Sequence, residues 1–331
     1  MSLKRGGGSS PPLGSDIYVM ESLNFNIGLW KALFETALLV LAGYISLKIG
    51  IFKDNTAKDL TKFIIYVTLP ALIFYSFSSH LNRANLGGCS LFFLASLIIF
   101  LIGFVVGLIS TKSLVKREDL KREFVLLNAF QNSGYLPLAL VGNLFSPAKS
   151  EIAYLYIFSY LMGFNLVMLS FGFYYMHASS KMKLKSFITP AFVASILGIA
   201  FALSGLTAKI PGVVIQPIYK LGSTTVPLSM VMLGMILAQS RLFKLEYLKE
   251  LSVLIFSKLL FIPLVVLVLL KFIKLDSFSS FLILLQAAMP SATTLSLIAH
   301  FKGAHTEFVS QGIMYTHIFL ILTLPLIFLL F

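Results

Sequence analysis

The stretch LLNAFQNSGYLPLALVGNLF, residues 126–145, decides the fold. It is as long and apolar as a helix that crosses a bilayer, for which about 20 residues suffice. Yet Asn128, Gln131, Asn132, Ser133, Gly134 and Pro137 occupy its middle. Proline has no amide hydrogen and suits the first turn of a helix better than its interior. The spacing therefore predicts an interrupted span, with one half-helix ending near Asn132 to Gly134 and a second carrying Pro137 in its first turn.

The rest of the chain places this stretch in a membrane. Of 331 residues, 58% are hydrophobic and 12% charged, whereas a soluble domain carries roughly a quarter charged. Apolar runs of bilayer length, without strand-like alternation, predict an all-α integral membrane protein. Ten spans are expected, near 27–47, 60–79, 89–110, 124–144, 152–176, 187–205, 213–238, 248–270, 278–299 and 308–331. Residues 1–26, rich in Gly, Ser and Pro, read as a flexible tail without a signal-peptide core. Lys and Arg concentrate in the connections after odd-numbered spans, as with Lys112, Lys116, Arg117, Lys121 and Arg122 after the third. By the positive-inside rule those connections are cytoplasmic and both termini lie outside, in a multi-pass protein expected in the plasma membrane. The net charge of +13 thus follows from topology and points to no nucleic-acid partner, and the single Cys89 excludes an internal disulfide.

The prolines recur. Pro70 in span 2 and Pro227 in span 7 are 157 residues apart, and Pro137 in span 4 and Pro290 in span 9 are 153 apart. This predicts two five-span repeats, 27–176 and 187–331, the second inverted because each holds an odd number of spans. Pro70 and Pro227 are then candidate helix breaks. Interrupted spans in corresponding positions point to a central transport site.

In LLQAAMPSATTLSLIAH, residues 284–300, Pro290 is expected to open a half-helix beside the hydroxyls of Ser291, Thr293 and Thr294. Two helix N-termini meeting in mid-membrane would suit an anion, with Asn128, Gln131, Asn132, Ser133, Gly134 and Gln286 adding contacts. No Asp or Glu lies in either stretch, which argues against a cationic substrate or a metal there. Candidate coupling or gating groups are Lys258, deep in LIFSKLLFIP; Glu35, four residues from Lys31 on one helix face; and His317. Phosphate loops, nucleophile elbows and paired catalytic carboxylates are missing, so neither an enzyme nor a cofactor is expected.

VTLPALIFYSFS in span 2, NSGYLPLALVGNLF in span 4, TTVPLSMVMLGMILA in span 7, and AAMPSATTLSLIAHFKG followed by LTLPLIF resemble the auxin efflux carrier family. This family lies within the bile-acid, auxin and arsenite transporter superfamily, and the resemblance covers residues 27 to 331. It implies ten helices in inverted repeats, with a scaffold of spans 1, 2, 6 and 7, and a transport part of spans 3–5 and 8–10. Spans 4 and 9 would cross at the substrate site, and a homodimer would move a small organic anion, a mono- or dicarboxylate, by an elevator-type mechanism. The crossover Asn of the family matches Asn132, and the crossover prolines match Pro137 and Pro290. Many members place the proline seven residues after that Asn, where this chain has Ala139. The short HASSKMKLKS connection favours a microbial type of permease. Proton and sodium both stay open as coupling ions. A sodium-coupled symporter of the bile-acid type, an anion channel and a membrane sensor are the alternatives.

Overall fold

The computed structural model describes residues 13–172, 175, 188–239, 245–295, 299 and 305–331, with side chains from Ile27 onward apart from Asp54 and Leu245. The HASSKMKLKS connection, His300 and part of the second interrupted stretch lie outside the described residues. The described residues are mainly helical and hold seven helices long and apolar enough to cross a membrane. Three shorter apolar helices, Tyr135–Leu144, Pro190–Ser204 and Ser277–Ala287, accompany them. Ten helical residues rise only about 15 Å, half of a hydrocarbon core. Interruption, not loss of apolarity, keeps Tyr135–Leu144 and Ser277–Ala287 short.

The described residues begin with α1 (Leu13–Lys48), which starts well before Ile27, so helix replaces the expected tail from Leu13 onward. Pro11 and Pro12 directly precede it. Phe34, Leu38, Leu41 and Ile45 of α1 are exposed at helical spacing, while Leu29, Ala32, Leu33 and Thr36 are buried. One stripe of α1 therefore faces the protein and the other is left for lipid tails. Next come α2 (Asp54–Phe63) and α3 (Leu69–His80), joined without a break through a wide turn at Ile64–Thr68. Pro70 in the first turn of α3 thus widens its helix and does not end it, because the wide turn re-pairs the backbone around the missing amide.

α4 (Leu86–Ser113) leads to α5 (Lys121–Ala129), α6 (Tyr135–Leu144) and α7 (Pro147–Val167). A second wide turn, Met168–Gly172, continues α7. α8 (Pro190–Ser204) precedes α9 (Gly212–Ser223) and α10 (Thr225–Gln239). Between these last two stands one turn residue, Thr224, three before Pro227. α11 (Leu248–Phe256) and α12 (Ile262–Phe272) flank a third wide turn at Ser257–Phe261. α13 (Ser277–Ala287) and α14 (Thr306–Phe328) complete the described helices.

α1 lies against α10 along its length. A Cβ at Gly43 would stand 1.9 Å from the Val231 carbonyl oxygen, and one at Gly234 would stand 1.9 Å from that of Val40. Only glycine lets the two backbones approach so closely, the usual device where lipid supplies no hydrophobic drive between helices. α8 lies against α3 in a similar way, with Gly198 over Phe74 and Phe77.

Charged groups gather at the two ends. At one end Arg117 pairs with Asp119 (2.8 Å) and Glu246 (3.3 Å), while His305 Nε2 stands 3.4 Å from Asp119. The Arg117 guanidinium holds the Asp119 carboxyl below its usual value, and Asp119 in turn raises that of Arg117. At the other end His80 Nε2 meets Glu151 at 2.9 Å. Between them the buried core includes Leu126, Leu127, Phe130, Leu138, Leu284 and Met289, on both sides of the interrupted stretches.

Candidate functional site

The helix of α5 stops at Ala129, and Phe130 is already extended. α6 begins at Tyr135, and its first backbone bond runs from the Leu138 amide to the Gly134 carbonyl. Pro137 sits in that first turn, where its missing amide costs nothing. The other stretch leaves helix at Ala287, turns at Ala288, stays non-helical through Thr293, and is helical again at Thr294 and Leu295. Pro290 therefore does not open the second half-helix but lies within the unwound strip, four residues before helix resumes at Thr294.

The two strips satisfy one another. Gln131 and Ser291 form an antiparallel bridge. The Asn132 amide donates to the Pro290 carbonyl (2.7 Å), and the Ala292 amide donates to the Phe130 carbonyl (3.0 Å). Unwound backbone inside a membrane is tolerable only when its polar groups are paired or face a polar cavity. Side chains supply further pairing: Gln286 Nε2 donates to the Ser133 carbonyl (3.1 Å) and Ser291 Oγ to the Leu127 carbonyl (2.8 Å). The Ser291 amide donates to Thr316 Oγ1 (3.2 Å), and Gln131 Nε2 donates to the hydroxyl of the fully buried Tyr160.

A cavity of about 420 Å³ opens beside this pairing. Gln131, Asn132, Ser133, Gly134, Thr293 and Thr294 line it on the side of the breaks. The rest of the lining is mainly apolar, with Leu69, Ile73, Phe158, Leu161, Met162 and Phe192, and is broken by Asn165, Thr189 and Ser195. No charged side chain is among its described lining residues. Helix starts leave their first amides without intrahelical partners, so the α6 terminus offers donors where the polar lining lies.

Asn128, Gln286, Pro290, Ser291 and Pro137 stand behind the lining. Asn128 braces the end of α5: its Nδ2 donates to the Phe124 carbonyl (3.0 Å), and its Oδ1 accepts from Ser257 Oγ (2.7 Å). The fully buried Lys258 ammonium donates to the Asn128 carbonyl (2.8 Å), so the cation sits at the negative end of the α5 dipole. His317 lies behind Asn132, with Nε2 3.1 Å from Asn132 Nδ2. Glu35 is remote from the cavity and stands 3.9 Å from Lys31 as an exposed pair. Tyr160, and the cavity-lining Asn165, Thr189 and Ser195, had no place in the sequence reading. Asn165, polar within an apolar run, was the legible signal among them.

Fold and site define a class, a helical multi-pass membrane protein with an interior cavity where interrupted helices meet. The chain belongs to the membrane transport protein family, that of the auxin efflux carriers; its family model matches residues 29–181 and 174–328. It is similar to an uncharacterized transporter of Methanothermobacter thermautotrophicus, 28% identical over 91% of this chain and 97% of that one. An uncharacterized transporter of Methanocaldococcus jannaschii is 26% identical over 87% of this chain and 94% of its own. An uncharacterized transporter of Saccharomyces cerevisiae is 24% identical over 43% of this chain and 26% of its own.

Proposed function

We propose that this transporter carries a small organic anion with one carboxylate and an apolar body. The observation that carries the reading is the cavity lining, mostly apolar and without a charged side chain among the described residues, with Asn132, Ser133 and Thr294 grouped at the breaks. A dicarboxylate would bring a second charge into a lining that holds no cation among the described residues, where an unpaired charge is expensive. Helix-start amides meet one carboxylate without a buried cation in the lining.

Translocation then proceeds by elevator-type alternating access, with the two interrupted stretches forming the crossover of two inverted five-helix repeats. Two features support the repeat. The breaks at 130–134 and 288–293 correspond, and the α1–α10 seam at Gly43 has its counterpart in the α3–α8 seam at Gly198. The Arg117, Asp119, Glu246 and His305 end joins connections that follow spans 3, 7 and 9, as a cytoplasmic face with both termini outside requires.

Flux into proteoliposomes tests the reading. Phenylacetate is carried and competes for its own uptake, and malate competes at least tenfold more weakly. Equal competition by malate would end the one-carboxylate assignment.

A further inference from the structure

His317 Nδ1 stands 2.8 Å from the Ile313 carbonyl oxygen, which can only accept, so Nδ1 carries a proton. In the neutral ring Nε2 is then an acceptor. Its partner at 3.1 Å must be the donating Nδ2 of Asn132, which fixes the orientation of that amide. Asn132 Oδ1 has no protein partner among the described residues and belongs to a cavity-lining residue. In this state the site therefore shows a hydrogen-bond acceptor to its occupant, a poor match for a carboxylate.

A proton on Nε2 reverses the arrangement. The ring keeps its bond to Ile313 but now donates from both nitrogens, so the amide must turn its Oδ1 to the ring and its Nδ2 donors to the cavity. The nearby imidazolium needs a counter-ion. Several titratable groups lie on α14 and the elements packed against it. Those with described side chains are Glu307 and Tyr315 on α14, Lys258, Lys249 and Glu250 on α11 and its wide turn, Lys121, Arg122 and Glu123 on α5, and Lys31, Glu35, Tyr44 and Lys48 on α1. None is a hydrogen-bond partner of the imidazole, and Lys258 is held on the Asn128 carbonyl. The carboxylate of the ligand would fill that vacancy.

We infer that His317 is a positioning residue that couples one proton to one carboxylate by turning the Asn132 amide. The inference rests on the reading that the cavity takes a carboxylate. It makes the carrier a proton–anion symporter without an acidic relay, because the site recognises the anion well only while His317 is charged.

The test is calorimetry of phenylacetate binding to the purified full chain, in buffers of differing ionisation enthalpy. Near neutral pH, where phenylacetate is ionised, the wild type takes up about one proton per ligand and loses affinity about tenfold per pH unit above neutrality. His317→Gln binds without proton uptake and with an affinity that pH leaves unchanged. Uptake by both proteins would put the proton on the ligand and overturn the inference. Wild-type binding with no uptake would overturn it too and leave the carboxylate site standing, whereas no binding of phenylacetate, benzoate or hexanoate removes both. Should His317→Gln fail to fold, nitrogen NMR of the wild type decides. Saturation with phenylacetate converts one of the five histidines to imidazolium, and a spectrum unchanged by the ligand overturns the inference.

Discussion

Where α1 meets α10, two unbroken backbones approach until Gly43 and Gly234 leave no room for a side chain. Where Phe130–Gly134 meets the strip around Ser291, two unwound backbones approach and bond to each other. The first contact is dry and saturated, since an intact helix has spent its amides and carbonyls internally. The second leaves helix-start amides and an Asn side chain facing a cavity. Close approach alone makes a seam, and only an interrupted backbone makes a site.

The heaviest blow falls on the seam. Gly234→Val places branched carbons against the Val40 carbonyl and is expected to cost about 3 kcal/mol, read as a much lower melting midpoint in detergent. At the break, Asn132→Ala leaves the backbone bond to Pro290 intact and removes one ligand contact, so phenylacetate affinity falls about tenfold to a hundredfold. The melting midpoint of the unliganded protein should fall only by the roughly 1 kcal/mol of the lost bond to His317, and a collapse there would mean that Asn132 serves folding.

Lys258 sharpens the contrast. A buried ammonium with a carbonyl but no carboxylate partner among the described residues is a poor stabiliser, and a well-packed apolar substitute often folds as well. Lys258→Met should keep or raise the midpoint while flux falls about tenfold or more. Equal flux would make the lysine a packing residue. Ser291→Ala removes the bond to the Leu127 carbonyl at a cost of about 1 kcal/mol and leaves affinity within about twofold.

The smallest effect is expected outside the membrane. Asp119 is held below the usual carboxylate value by Arg117. Its stabilising contribution is therefore complete above the unfolded-state value and is lost as pH falls through the lowered one. Arg117→Gln should shift the midpoint slightly at neutral pH and not at all in strong acid, because exposed pairs are screened.

How far each feature was legible follows from the reach of its cause. The membrane class, the interruption beside Pro137 and the pairing of that stretch with 284–300 were legible in the chain, because apolar run length and a missing amide act within a turn or two. Pro70 misled, since the backbone around it could re-pair in a wide turn. Met168–Gly172 widens without a proline and gave no local sign. Chain order could not tell which polar side chains turn toward the cavity. Asn128, Ser291 and the Nε2 of Gln286 bond to carbonyls or hydroxyls, while Asn132 meets a histidine 185 residues away. A span states its own need for hydrogen bonds in its sequence, whereas the partner that meets the need is chosen by which helices pack beside it. That choice belongs to the tertiary structure alone.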